Sequence, residues 1–155
     1  VHGGVRSNII PEEVKLVGTI RALDNNMRDL IFERLTTIAV KTGESNRAEV
    51  EVEIDAGYPI TYNDVALTNM MLPTLQSVAG ADHVRLVPAS TGAEDFSFFQ
   101  KEVPGFFFFL GGTPIDTPEK DAAPHHTPDF YVDDTALVLG VKSMSRLVVD
   151  YSTMK

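Results

Sequence analysis

The fold of the first part of the chain is indicated by the segment Val14-Lys15-Leu16-Val17-Gly18-Thr19-Ile20-Arg21. Its apolar residues largely alternate with polar ones, which predicts a half-buried strand. The segment Asp24-Asn25-Asn26 then offers N-cap oxygens, apolar residues follow at helical spacing, and Gly43 is placed to end that helix. From Glu49 to Ile54 glutamate alternates with valine and isoleucine, which predicts a second strand. Residues 1–57 are therefore predicted to form a small β-α-β unit.

The second part of the chain begins after Tyr58-Pro59 and alternates between helical and strand patterns. One helix is predicted to start at Asn63-Asp64 and to be kinked or divided at Pro73. Another is predicted to start at Asp133-Asp134, with an apolar stripe that runs from Ala136 to Tyr151. Two strands are predicted as well, at residues 84–87 and 106–110.

The composition argues against two kinds of partner, nucleic acids and membranes. The chain has 155 residues, 43% of them hydrophobic, and a formal net charge of -9. That charge argues against a nucleic-acid partner, because phosphate binding requires a basic surface. No apolar run approaches the roughly 20 residues needed to span a bilayer, so no membrane role is expected. The start has no signal-peptide character, which makes the cytoplasm the default compartment. Cysteine is absent, so any metal would be bound by His, Asp or Glu.

The segment Pro124-His125-His126-Thr127-Pro128 holds the first candidate functional residues. Proline fixes φ and donates no N–H, so the histidine pair is predicted to lie on a stiff loop outside any helix or regular strand. Neutral imidazole is a good zinc ligand, which makes His126 a candidate metal ligand. The alternative is an ordinary loop histidine that is exposed or hydrogen-bonded. His125 could equally support a ligand or face solvent.

Two further segments hold candidates for binding anions. Thr91 and Glu94 have the spacing of a capping box that would open the helix carrying Phe98 and Phe99. The same geometry, with Gly92 nearby, would offer free N–H groups to an anion, and both interpretations can hold together. Arg21 lies off the apolar side of its strand and is free to bind a carboxylate, although an ordinary surface arginine would show the same pattern.

Several short motifs occur together in a specific order. They are Asn-x-Ile-Pro from Asn8, Gly-Thr-Ile-Arg from Gly18, Tyr-Pro-x-x-x-Asn from Tyr58, Gly-Ala-Glu-Asp-Phe from Gly92, Pro-Gly-x-x-x-x-Leu-Gly from Pro104, and His-x-Pro-x-Phe from His126. The chain from Gly3 to about Tyr151 thereby resembles the C-terminal half of the zinc aminoacylase/carboxypeptidase family. The resemblance is to its branch of hippurate hydrolases, N-acyl-amino-acid amidohydrolases and auxin-conjugate hydrolases.

The resemblance implies an α/β fold in two parts. Residues 1–57 would be the second half of a ferredoxin-like α+β lid or dimerisation domain, and residues 58–155 the C-terminal part of a zinc-peptidase-like α/β catalytic domain. His126 would be a metal ligand. Asn8, Arg21 and Gly92 would bind the substrate, the first two from a lid that often reaches the partner subunit's active site. The ion would be zinc, one or two per enzyme, with manganese, cobalt or nickel as alternatives.

Other parts of the family's pattern have no counterpart in this sequence. The upstream metal ligands, the bridging acidic ligand and the catalytic glutamate pair do not occur in it, and a catalytic zinc ordinarily needs three protein ligands. We therefore expect the C-terminal portion of a metal-dependent amidohydrolase or carboxypeptidase for N-acyl amino acids or related conjugates, inactive by itself. Its expected partners are the enzyme's N-terminal half, a second copy through the lid, and a small N-acyl amino acid or peptide substrate. The alternative is a non-catalytic dimerisation or binding module derived from that fold.

Overall fold

The structure, a computed structural model, describes residues 1–154 except for the side chain of Glu119. The chain divides into two compact units, Val1–Ile60 with Ala89–Ala93 and Thr61–Pro88 with Glu94–Lys155. Its regular elements are β1 (His2–Gly3), β2 (Val14–Lys15), α1 (Asn25–Ser45), α2 (Val65–Ala79), α3 (Phe96–Glu102) and α4 (Asp134–Thr153), with 3-10 turns at Ala81–His83 and Glu119–Asp121. Helices with a small sheet are compatible with the predicted α/β class. The domain boundary at residue 57 stays a prediction.

The sheet of the first unit is a short antiparallel ribbon. His2 lies opposite Lys15 and Gly3 opposite Val14. A side chain at position 3 would bring its Cβ to 2.8 Å from Cγ2 of Val14, so the close pairing of the two strands depends on glycine there. The predicted strand over residues 14–21 is wrong beyond Lys15. A strand continues only where a neighbour pairs with its backbone, and the two-residue β1 provides no longer partner.

The long helix of the first unit begins as predicted and ends later than predicted. The carboxylate of Asp24 accepts a hydrogen bond from the backbone N–H of Met27 at 2.8 Å, which caps the first turn. The helix continues through Gly43 to Ser45, so the prediction that Gly43 ends it is wrong. Gly43 is buried because Val50 packs directly on its Cα, where a Cβ would overlap the valine side chain. That glycine permits close packing of the chain that follows the helix.

Residues 49–54 keep the predicted alternation of side chains but do not form the predicted strand. Val52 and Ile54 are half-buried, whereas Glu51 and Glu53 are exposed. No backbone partner lies beside this segment within the described residues, and it has no strand assignment. The predicted β-α-β order is therefore wrong for residues 1–57, where two short strands are followed by one helix. The side-chain pattern reflects burial on one face, and pairing needs a neighbour as well.

The second unit is built around the contact between α2 and α4. Its buried hydrophobic residues, within the described chain, are Met71, Leu75 and Leu147, and Phe106 and Phe108 pack against them. Asp64 caps α2 by accepting a hydrogen bond from the backbone N–H of Leu67 at 2.7 Å, as its position predicted. The helix α2 runs continuously through Pro73, so it is not divided there, and the alternative of a kink at Pro73 stays a prediction. The packing of α2 on α4 stabilises a helix that a proline weakens.

The predicted apolar stripe of α4 is mostly exposed. Leu147 is buried, whereas the other large side chains of the stripe are between 40% and 68% exposed, namely Leu137, Val141, Met144, Val148 and Tyr151. The apolar residues of α4 therefore extend around more of the helix than α2 covers. An amphipathic pattern predicts which residues favour burial. Whether they are buried also depends on which other elements pack against the helix.

The predicted strands at residues 84–87 and 106–110 are not assigned as strands in the structure. Phe106 and Phe108 face the core of the second unit, whereas Phe107 contacts the Phe96 ring in a tilted arrangement, with 6.1 Å between centroids and 41° between planes. Aromatic residues thus occupy both sides of the segment. Apolar side chains on both faces are typical of an internal strand, but backbone pairing with neighbouring strands is needed to complete one.

A side chain takes the place of such a backbone partner at Phe107. The amide of Asn63 donates through Nδ2 to the Phe107 carbonyl at 2.8 Å and accepts through Oδ1 from the Phe107 N–H at 2.7 Å. The backbone N–H of Asp64 also donates to the Gly105 carbonyl at 2.9 Å. An asparagine amide presents one donor and one acceptor at the spacing of a peptide group. Asn63 therefore anchors the start of α2 to the aromatic segment.

Replacing Asn63 by Asp should lower the free energy of unfolding by about 1–2 kcal/mol. An aspartate keeps the acceptor for the Phe107 N–H but loses the donor, so a carboxylate oxygen would face the Phe107 carbonyl oxygen. Urea denaturation of the 155-residue chain measures the change. The matched control is Asn69→Asp on the exposed side of α2. Equal losses in the two variants would show that the pairing at Phe107 does not contribute.

Candidate functional site

The histidine pair lies on a loop outside any helix or strand, as the flanking prolines predicted. Both imidazoles are exposed, and His126 has φ of 64°, in the left-handed region. That conformation costs a residue with a Cβ about 1–2 kcal/mol, so the surrounding contacts must maintain it. Residues with a strained backbone cluster at functional sites, so the conformation of His126 is consistent with its candidate role as a ligand.

Local contacts hold the turn around His126. The hydroxyl of Thr127 donates to the Pro124 carbonyl at 2.8 Å, and the Phe130 N–H donates to the Thr127 carbonyl at 3.1 Å. The His125 ring packs on the Phe130 ring with 4.8 Å between centroids and 58° between planes. His125 therefore has an aromatic neighbour that supports the turn. The ring of His126 lies 6.4 Å from that of His125, with 71° between their planes.

The ends of the longer loop that carries the histidines are joined to each other. The Asp133 N–H donates to the Gly112 carbonyl at 2.7 Å. Asp133 then caps α4, since its carboxylate accepts hydrogen bonds from the N–H and the hydroxyl of Thr135. These bonds hold the pKa of the Asp133 carboxyl below its ordinary value. The ionised cap is fully formed above the ordinary carboxyl pKa, and its contribution is lost as pH falls through the lowered pKa.

The predicted substrate-binding residues Arg21 and Gly92 lie in one region of the first unit. Nη1 of Arg21 donates a hydrogen bond to the carbonyl of Thr91 at 2.7 Å, although the two residues are 70 positions apart. One donor of Arg21 is therefore already in use, and its binding of a substrate carboxylate stays a prediction. Its remaining N–H groups are still suited to a carboxylate, because a guanidinium has five donors.

The predicted capping box at Thr91 and Glu94 does not form. The helix α3 begins at Phe96, its N-cap is Asp95, and no side chain caps it. The Glu94 carbonyl instead accepts a hydrogen bond from the hydroxyl of buried Ser97. Gly92 lies in an exposed loop before this helix, so its N–H is not part of a helix N-terminus. That N–H donates to the Ser90 hydroxyl at 3.3 Å.

Asn8 occupies the turn between β1 and β2 and is exposed. The turn is closed by the Ile9 N–H, which donates to the Arg6 carbonyl at 3.3 Å. Asn8 and Arg21 thus belong to the first unit together with the Gly92 loop, whereas His126 belongs to the second. The substrate-binding role of these residues and the metal-binding role of His126 stay predictions.

The described residues do not by themselves fit a metal centre. Between residues 1 and 154, no group of three His, Cys, Asp or Glu side chains lies close enough together to hold an ion. His126 would thus supply one ligand, and a catalytic zinc ordinarily takes three from protein. In the same part of the chain, no helix combines the length and the apolar character needed to cross a membrane.

Sequence reasoning missed three contacts that organise these segments: Arg21 with Thr91, His125 with Phe130, and Asn63 with Phe107. The contact between His125 and Phe130 could have been inferred, because the His-x-Pro-x-Phe spacing places an aromatic ring beside a tight turn. The other two join positions that are distant in sequence. Neither periodicity nor composition identifies such pairs.

Comparison with known proteins identifies the family. The family model described as peptidase family M20/M25/M40 matches residues 3–150. Thermostable carboxypeptidase 2 of Saccharolobus solfataricus is 34% identical over 155 residues, covering 98% of this chain and 38% of the relative. N-acetyldiaminopimelate deacetylase of Streptococcus suis is 32% identical over 156 residues, covering 100% of this chain and 38% of the relative. The Streptococcus pneumoniae deacetylase of that name is 35% identical over 145 residues, with coverages of 93% and 36%.

The chain belongs to peptidase family M20/M25/M40. The predicted resemblance to a family of amide-cleaving hydrolases is confirmed at that level, because the relatives named above are a carboxypeptidase and two deacetylases. The chain spans between 36% and 38% of the length of those three relatives. No solved structure matches the chain.

Proposed function

We propose that this chain is the C-terminal portion of a metal-dependent amidohydrolase or carboxypeptidase that cleaves the amide bond of N-acyl amino acids or related conjugates. The observation that carries the proposal is the family match over residues 3–150. Two of the named relatives add to it, since a carboxypeptidase and an N-acetyl deacetylase both break an amide bond beside an amino-acid carboxylate.

The proposed roles of the site residues follow their chemistry. His126 would bind one metal ion through an exposed imidazole on a strained, proline-flanked turn. Arg21 and Gly92 would act at the substrate carboxylate, since the Arg21 side chain reaches the Thr91 carbonyl beside Gly92. Asn8, exposed in the turn of the same unit, would donate to the substrate carbonyl.

The other components of the site would come from outside this chain. The chain spans little more than a third of the relatives' length, and its described residues hold no three-residue metal site. We propose that an N-terminal portion of the same enzyme supplies the remaining ligands of zinc and the general base. Manganese, cobalt or nickel are the alternative ions. A homodimer formed through the first unit is the proposed assembly.

The test compares this chain with the longer protein that we propose. Both are incubated with N-acetyl, N-benzoyl and dipeptide substrates, before and after treatment with a chelator. We expect hydrolysis by the longer protein alone, loss of that hydrolysis with the chelator, and recovery on addition of zinc. Hydrolysis that survives complete metal removal would contradict metal dependence. A longer protein that hydrolyses none of these substrates would support a non-catalytic binding module instead.

A further inference from the structure

Residues 89–93 form a short loop that belongs to a different unit from the chain on either side of it. The residues before and after the loop, 61–88 and 94–155, cluster in the second unit, whereas the loop clusters with residues 1–60. All of Ala89–Ala93 are exposed. Such a loop needs specific contacts to stay with residues 1–60, because little apolar burial holds it there.

The Arg21 side chain provides such a contact. Its Nη1 donates to the Thr91 carbonyl at 2.7 Å, which is short for an N–H···O hydrogen bond and typical of a charged donor. The other hydrogen bond of the loop, between the Gly92 N–H and the Ser90 hydroxyl, stays inside the loop. Arg21 therefore ties this loop to residues 1–60 by a side-chain hydrogen bond.

We infer that Arg21 is a positioning residue, which holds the Thr91 carbonyl and thereby fixes where the adjacent Gly92 N–H lies. This role is additional to the proposed contact of Arg21 with substrate. Its effect on substrate binding rests on the proposed function, because it requires Gly92 to bind the substrate carboxylate. One N–H group anchors the loop, and the other donors of the planar guanidinium remain available. A lysine would keep the charge but has no rigid fork, so it should hold the carbonyl less well.

The absence of cysteine in the chain gives a direct test. Cysteines introduced at Ala89 and Thr37, both exposed and both in the first unit, carry a pair of nitroxide spin labels. Pulsed electron paramagnetic resonance then measures the distribution of distances between the loop and α1. We expect a single narrow distribution for the parent, about twofold broadening in Arg21→Ala, and intermediate broadening in Arg21→Lys. The control is Arg6→Ala, an exposed arginine of the same unit, which should leave the distribution unchanged.

Equal distributions in Arg21→Ala and Arg6→Ala would overturn the inference. Circular dichroism checks that α1 remains folded, and if Arg21→Ala unfolds, the decision rests on Arg21→Lys against Arg6→Lys. In the longer protein, Arg21→Ala should raise KM for carboxylate substrates more than it lowers kcat. Failure of the proposed function is distinguishable, because the distance measurement does not depend on hydrolysis.

Discussion

Replacing His126 by Ala in the longer protein should abolish nearly all turnover and lower its metal content. The imidazole is the one metal ligand that we propose within this chain, and it is exposed on a turn whose backbone is held in the left-handed region. Loss of an outer partner of a metal ligand already costs roughly 10–100-fold in affinity or activity, so loss of the ligand itself should exceed that. Metal analysis of the purified variant and a hydrolysis assay measure the two effects separately.

The matched control for this prediction is His125→Ala. That substitution removes the ring that packs on Phe130 but leaves the proposed ligand in place. We expect a smaller loss of activity, through a looser turn, with metal still bound. Zinc content and turnover that remain unchanged in His126→Ala would overturn the ligand assignment. Equal losses in both variants would indicate that the turn as a whole, and no single imidazole, is required.

Replacing Met71 by Ala should lower the free energy of unfolding of the chain by about 2–5 kcal/mol. Met71 is 2% exposed, and its side chain packs with Leu75 and Leu147 where α2 contacts α4. Truncation of this side chain therefore leaves a cavity where the two helices meet. A loss of this size is a large fraction of the stability of an ordinary domain, about 5–15 kcal/mol. Urea denaturation followed by circular dichroism measures it.

The neighbouring residue provides the control. Met70 is 46% exposed, so Met70→Ala changes the same residue type on the same helix and should shift the free energy of unfolding by only about 0.5 kcal/mol. Similar losses in the two variants would contradict the packing of α2 on α4.

The helices of this chain were predictable because their determinants are local. Asp24, Asp64 and Asp133 each cap the helix that follows them, and each lies in a short polar segment from which the helix start was predicted. The strands were less predictable, because a strand exists through its neighbours. Residues 51–54 alternate in burial as the sequence indicated, yet no strand pairs with them within the described chain.

The candidate site was predictable only in part, for a similar reason. The exposed loop position of His126 followed from the two prolines, whose effect is local. The hydrogen bond from Arg21 to the Thr91 carbonyl could not be inferred, because the two residues come together only after the chain has folded. A strand pattern can show which way a side chain points, but the backbone group that it will reach depends on tertiary structure.

The hydrogen bond between the Asp133 N–H and the Gly112 carbonyl closes residues 113–132 into a loop whose ends are fixed together. The entropic free-energy cost of closing a flexible loop grows only slowly, by about 0.6 kcal/mol for each doubling of the loop length. The turn at His126 is held by contacts within residues 124–130, which do not involve the first half of the loop. Insertions between residues 113 and 123 would therefore leave the turn at His126 unchanged. This stretch is a place where the chain can be lengthened by engineering beside the proposed site at little expense in stability.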